Sequence, residues 1–249
     1  QKKYHQKILE QIGSKSIIEK EEEKVDTETQ MSQASTNELP SGTSKSTSSS
    51  IPEKEINNLV LRARNAIESS PIHKMVGLKA MKMKIAEFSN ACIVDRIREI
   101  HGMEPLTGRS LHMIFSGNPG TGKTTVANHL GELLKDLGVL EKGHVVKVGR
   151  GDLVAPYIGQ TELKTQSKID EAIGGILFID EAYSLTEPSK TIHKNDFGKI
   201  AVETIMLNMT NLRGNFMVVA AGYTENMREF ISSNPGLRSR FPIENEILF

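Results

Sequence analysis

The chain holds a single cysteine, Cys92, among 249 residues. One thiol cannot build an internal disulfide framework, and that poverty fits a reducing compartment. Net charge is missing as well, because 31 Lys and Arg are balanced by 31 Asp and Glu. This balance gives no support to the broad basic surface that nucleic-acid binding calls for. No apolar run approaches the roughly 20 residues needed to span a bilayer. No secretory leader is visible at the amino end. The expectation is therefore an intracellular, cytoplasmic protein without nucleic-acid or membrane partners, although an organelle is also compatible. No repeat period is present. The sequence opens on Gln1 and stops at Phe249 inside a strand-like run, which reads as a piece of a longer protein.

Three regions follow from composition. Residues 1–25 scatter Ile8, Leu9, Ile12, Ile17 and Ile18 among Lys, Gln and Glu, and read as the helical tail of a preceding region. Residues 26–52 are crowded with Ser and Thr and show no apolar periodicity. Such a stretch cannot bury enough apolar area to offset chain entropy, so a disordered linker is expected. Residues 53–249 carry the folded pattern. Ile56, Leu59, Val60, Ala63 and Ile67 share one helical face, and Pro71 ends that segment. A second helix is expected over Leu78 to Ile100, with Met81, Ile85, Phe88, Cys92 and Ile93 inward and Gly102 as its stop.

From Leu111 strands and helices alternate. Strands are expected at Leu111 to Ser116, His144 to Val148, Ile176 to Ile179 and Phe216 to Ala221. Helices are expected at Thr124 to Leu137, Leu163 to Ile173 and Ile200 to Leu212. The alternation argues for an α/β fold, a parallel sheet with helices on both sides. Ile176-Leu-Phe-Ile179 is continuously apolar, as a central strand covered on both faces must be.

Between the first strand and its helix lies Gly117-Asn118-Pro119-Gly120-Thr121-Gly122-Lys123-Thr124, followed by Thr125. It matches G-x-x-x-x-G-K-[ST] without a departure. The glycines permit backbone angles and close approach that a Cβ would block. Loop amides and the helix N-terminus then converge on phosphate oxygens. Lys123 is expected to reach the β- and γ-phosphates and Thr124 to ligate Mg²⁺. The alternative, a glycine-rich turn with an exposed lysine, does not account for the strand before it and the helix after it.

A second signature lies at Ile176-Leu-Phe-Ile-Asp180-Glu181, an apolar strand ending in two acids. Ligands in a parallel sheet bind beyond the carboxyl ends of strands. Asp180 is thus expected beside the metal held by Thr124, and Glu181 is the candidate to polarise the attacking water. Taken alone, the acids could equally cap a helix starting near Ala182. The two motifs together imply a P-loop NTPase. Guanine specificity is disfavoured, because Lys194-Asn195-Asp196 does not match an Asn-Lys-x-Asp box.

Asp180-Glu-Ala-Tyr-Ser-Leu185, Ala220-Ala-Gly-Tyr223 and Ser233-Asn-Pro-Gly-Leu-Arg-Ser-Arg-Phe241 together resemble the CbxX/CfxQ branch of AAA+ ATPases, which includes red-type Rubisco activases and a sporulation protein. The resemblance runs from about His73 to Phe249. It implies an AAA+ nucleotide-binding domain that uses ATP and Mg²⁺, assembles as a homo-oligomeric ring and remodels a client protein. By the same resemblance Arg240 is the arginine finger, with Arg238 a second candidate. Tyr157, Ile158 and Gly159 form a substrate-gripping pore loop. Val76 and Gly77 line the adenine pocket, and Tyr223 takes the sensor 1 position, where many AAA+ proteins carry Asn. The resemblance also implies a helical lid, which the 249 residues do not reach. A nucleotide-gated scaffold without threading activity is the alternative function. A clamp-loader-like role on DNA is disfavoured by the neutral charge and the Tyr-Ile-Gly loop.

Overall fold

The structure is a computed structural model that describes residues 53–100, 102–104, 110–157, 159–186 and 197–249. The tail expected over 1–25 and the linker over 26–52 lie outside the described residues, as do Ile158 and the Lys194-Asn195-Asp196 segment.

Two helices precede the sheet. Helix α1 (Glu53–Ser69) buries Ile56, Val60 and Ala63, spaced so that they stack on one face. Pro71 does more than end this segment. It opens a short helix, α2 (Pro71–Lys74), for which Ser70 is the N-cap, its hydroxyl accepting from the Ile72 N–H. Proline suits a first helical position because its missing N–H would have no partner there. Helix α3 (Lys79–Ile100) buries Met81, Ile85, Phe88, Cys92 and Ile93, as their spacing predicts, and adds Ser89, Val94 and Ile97.

The remaining elements alternate: β1 (Met113–Ser116), α4 (Lys123–Asp136), β2 (Val145–Val148), α5 (Arg150–Leu153), α6 (Gln160–Ala172) and β3 (Ile176–Ile179). A 3₁₀ turn at Ala182–Leu185 leads on to α7 (Phe197–Asn211), β4 (Met217–Gly222), α8 (Thr224–Ser232) and α9 (Pro235–Arg240). A second 3₁₀ turn, Ile243–Asn245, precedes β5 (Glu246–Leu248). The five strands run in the order β2-β3-β4-β1-β5, and every pairing is parallel. The three central strands are buried at every position, whereas the edge strands β2 and β5 are only partly so.

Strand alternation sorts the core into two layers. Met113 and Phe115 of β1, Ile176 and Phe178 of β3, and Met217, Val219 and Ala221 of β4 pack against α1, α3 and α4. Ile114, Leu177, Ile179, Val218 and Ala220 point the other way, against α6, α7, α8 and α9. This is the expected sheet with helices on both faces. The first strand begins two residues later than its apolar run predicts, because His112 leaves the ladder and turns its side chain inward. His112 is buried, and its Nδ1 accepts from the Val218 N–H at 3.0 Å.

The topology positions the site. From β1 the chain crosses past β4 and β3 to reach β2, so the loop after β1 emerges where the strand order reverses. Open parallel sheets bind ligands at that crevice, beyond the carboxyl ends of the strands.

Candidate functional site

The loop after β1 is shaped by close packing. The Gly117 N–H donates to the Gly222 carbonyl at the end of β4, at 3.0 Å. Gly117 has φ 153°, and a Cβ there would stand 2.8 Å from the Phe249 carbonyl oxygen. Any side chain would therefore push the loop off the sheet. Gly120 (φ 74°) and Gly122 (φ 91°) occupy the left-handed region that glycine tolerates. Gly122 is the N-cap of α4 and supplies no side-chain cap. The first-turn amides of α4 are left without intrahelical partners, facing the loop with the positive end of the helix behind them. A polyphosphate is the ligand such an array suits.

Lys123 opens α4 and folds back over the loop. Its Nζ donates to the carbonyls of Gly117 at 2.8 Å and Asn118 at 2.7 Å, and the Thr121 hydroxyl donates to the same Asn118 oxygen at 2.8 Å. Partial burial draws the Lys123 ammonium below the ordinary lysine range, while the Asp180 carboxylate opposes that shift. Lys123 and Asp180 both border one cleft, beyond the carboxyl ends of β1 and β3.

Asp180 and Glu181 follow directly on β3. The Asp180 N–H continues the ladder to the Val148 carbonyl at 2.8 Å. Glu181 has φ 52° and ψ 48°, a left-handed backbone in a residue with a full side chain. Such a conformation costs on the order of 1 kcal/mol or more and collects at functional sites. It caps the 3₁₀ turn at Ala182 through its carbonyl, which accepts from Ser184, and its side chain is exposed. The acids therefore supply no side-chain cap: the Glu181 backbone caps the turn, and its exposed side chain borders the same cleft.

A cleft of about 420 Å³ gathers these parts, bordered by Gly117, Pro119, Gly120, Gly122, Lys123, Thr124, Thr125, Asp180, Glu181, Gly222 and Tyr223. Its donor set is made of hard oxygens, with the Thr124 hydroxyl and the Asp180 carboxylate both in the lining. That set fits Mg²⁺, which prefers oxygen ligands and takes one or two from protein when phosphates supply others. Tyr223, the N-cap residue of α8, sits on the wall, its ring 6.1 Å from that of Tyr183.

The other expected residues, Val76, Gly77, Tyr157, Gly159, Arg238 and Arg240, do not border this cleft. Val76 is 98% exposed, and Gly77 and Leu78 both have positive φ. The segment adjoins the phosphate loop through Met75, whose methyl lies 3.7 Å from where a Gly122 Cβ would stand. Lys82 anchors it, donating to the His73 carbonyl at 3.1 Å and also to the Met75 carbonyl. Tyr157 is 68% exposed, in the turn that Gly159 (φ 79°) closes before α6, and does not border the cleft.

Arg240 lies at the opposite end of the sheet. It borders a larger cleft of about 870 Å³ with His112, Arg96, Arg213 and Phe216, near the amino ends of β1 and β4. Its guanidinium bonds within its own chain, to the carbonyls of Met206 and Gly236 at 3.0 Å each and to the Thr210 hydroxyl at 2.8 Å. Arg238 is exposed. Neither arginine reaches the cleft of its own chain, so any contact with a nucleotide must be with a neighbour's.

Three participants escape the motif reading. Lys147 of β2 pairs with Asp180, Nζ to Oδ2 at 3.0 Å. Tyr183 packs on Tyr223, and Phe249 closes the back of Gly117. Lys147 left a trace in the sequence as one cation in the apolar run Val145-Val-Lys-Val148, and Tyr183 as a member of the Asp180 to Leu185 segment, with no role attached to it.

Comparison with known proteins agrees with this geometry. The profile of the ATPase family associated with various cellular activities (AAA) matches residues 113–248. Stage V sporulation protein K of Bacillus subtilis is 46% identical over 169 residues, covering 68% of this chain and 51% of that protein. The CfxQ homolog of Cyanidium caldarium is 43% identical over 176 residues, 71% of this chain and 59% of that protein. The chloroplastic ribulose bisphosphate carboxylase/oxygenase activase of Cyanidioschyzon merolae is 42% identical over 176 residues, 71% of this chain and 58% of that protein. The chain thus spans little more than half the length of these relatives. With the phosphate loop after β1, the paired acids after β3 and a profile match across the whole sheet, the chain belongs to the AAA ATPase family and resembles its CbxX/CfxQ branch.

Proposed function

We propose that this chain binds ATP with Mg²⁺ and hydrolyses it to ADP and phosphate, as the nucleotide-binding core of a homo-oligomeric AAA+ motor that remodels a client protein. The observation that carries the reading is the convergence of Lys123, Thr124, Asp180 and Glu181 on one cleft. Amides of Gly120 to Thr125 cradle the phosphates, and Lys123 leaves its loop carbonyls for the β- and γ-phosphate oxygens. Thr124 and Asp180 would hold Mg²⁺, whose charge would offset that of the phosphates. Glu181 orients the attacking water and accepts its proton. Tyr223 reports on the γ-phosphate, and the backbone at Val76 and Gly77 lines the adenine.

Arg240 acts in trans, stabilising charge on a neighbour's γ-phosphate, with Arg238 as a second arginine at the same interface. Fingers of this kind contribute on the order of 10³–10⁵ in rate. A head-to-tail contact of this sort repeats around a ring. Tyr157, with Ile158 and Gly159, grips the client by apolar contact. Partners are protein rather than nucleic acid or membrane, and the setting is intracellular, most simply the cytoplasm. No helix among the described residues is long and apolar enough to cross a membrane.

Equilibrium binding of a fluorescent ATP analogue, paired with phosphate release, tests the core of this reading. Lys123→Ala is expected to abolish binding, and Glu181→Gln to retain binding while turnover falls by at least about a hundredfold, the low end of what a general base contributes. Wild-type affinity in a folded Lys123→Ala protein would refute the assignment.

A further inference from the structure

The Lys147–Asp180 contact has no part in the reading above. Lys147 lies on the edge strand β2, in register with Phe178 of β3. Residues directly opposite in neighbouring strands point to the same face. Phe178 faces the layer containing α4, and so does Val145, two residues before Lys147. Lys147 therefore rises on the side of the sheet from which α4 presents Thr124. Its ammonium stands 3.0 Å from Asp180 Oδ2, with the two side chains 53% and 39% exposed. The carboxylate expected to face the metal is already occupied by a cation, and that cation approaches from the strand flank rather than from the phosphate loop.

We propose that Lys147 is a positioning residue that sets the Mg²⁺ dependence of nucleotide binding. Without nucleotide its ammonium neutralises and orients Asp180. When Mg-ATP enters, the metal and the ammonium compete for one carboxylate, and two positive centres are brought close together. Lys147 thus weakens the preference for Mg-ATP over metal-free ATP, whose extra negative charge it tolerates better. The bland account is that an exposed lysine on an edge strand merely blocks strand addition by another chain. That account predicts no link to the metal.

The inference rests on the proposed binding of ATP at this cleft, and the test separates the two. Affinity of the full chain for N-methylanthraniloyl-ATP is measured by fluorescence in excess Mg²⁺ and in EDTA. The readout is the ratio of the two dissociation constants. Lys147→Met is expected to raise the Mg²⁺ preference roughly two- to fivefold, the range a half-exposed ion pair supports. Lys147→Arg keeps the pair and should stay near wild type. In an Asp180→Asn background the effect of Lys147→Met should shrink, because the competition for the carboxylate is gone and only the direct repulsion remains. An unchanged ratio in Lys147→Met, with wild type clearly Mg²⁺-dependent, overturns the inference alone. A wild-type chain that binds no nucleotide under either condition overturns the functional reading and this inference with it.

Discussion

Acidification from pH 7 to pH 5 should weaken this fold through one buried side chain. His112 sits at the entry to β1, with Nδ1 accepting from the Val218 N–H and the Met209 backbone as its other partner. Burial is the main reason its pKa is pushed down from 6.5 to about 4, with Arg240 and Arg213 adding repulsion. The folded state therefore holds the ring neutral at pH values where the unfolded chain has begun to protonate it. Stability from this group is complete above about pH 6.5 and is lost as pH falls toward 4. Below that the folded state takes up the proton too and the loss levels off. Integrating between the two pKa values gives about 2 kcal/mol lost between pH 7 and pH 5. The perturbation is His112→Asn, whose side-chain oxygen can still accept from Val218 without titrating. The assay is urea unfolding of wild type and variant at both pH values, where contributions from the other histidines cancel in the difference. The variant should be the less stable protein at pH 7, and the gap should narrow by about 2 kcal/mol at pH 5. Parallel pH profiles for the two proteins would refute the reasoning.

Arg240 and Arg238 separate by stability as well as by rate. Arg240→Ala removes the bonds to Met206 and Thr210 that hold α9 on α7, with one to Gly236 inside α9, and should cost roughly 1–3 kcal/mol in denaturant unfolding as well as turnover. Arg238→Ala, at an exposed position, should unfold within about 0.5 kcal/mol of wild type. If Arg240→Ala hydrolyses ATP at the wild-type rate in an assembled protein, its role as the finger is wrong. Tyr157→Ala should leave nucleotide affinity and stability unchanged, since the ring is exposed and away from the cleft, while abolishing client-stimulated hydrolysis. Retained stimulation would favour a nucleotide-gated scaffold over a motor.

Much of the architecture was legible because its determinants are local. The glycine spacing from Gly117 to Gly122 dictates a loop wherever it occurs. The apolar run before Asp180 can only be satisfied by a strand covered on both faces. Helix α3 is written in the spacing of Met81, Ile85, Phe88 and Cys92. What could not be read was set by partners far away in the chain. Gly117 is required as much by Phe249 as by phosphate, and nothing near position 117 announces that contact. His112 belongs to a strand by its neighbours' apolar character, yet its ring has a better use bonding β4 from within. Pro71 differs, because its signal was local: proline reads as a stop, and the cap supplied by the adjacent Ser70 turns it into a start. Lys147 meets Asp180 because β2 and β3 lie side by side, a pairing the sequence order alone does not reveal. Arg240 illustrates the same limit: its motif identifies the arginine but not the hydrogen bonds it already makes at home.

The left-handed backbone at Glu181 has an evolutionary corollary. Glycine would relax that torsion without strain, so a selection for thermal hardiness alone should drift toward replacing the glutamate. Such a winner would keep its shape and lose the proton acceptor that the proposed hydrolysis requires. Under the proposed function the strain at this torsion is offset by what the carboxylate does, at the expense of how firmly the chain folds.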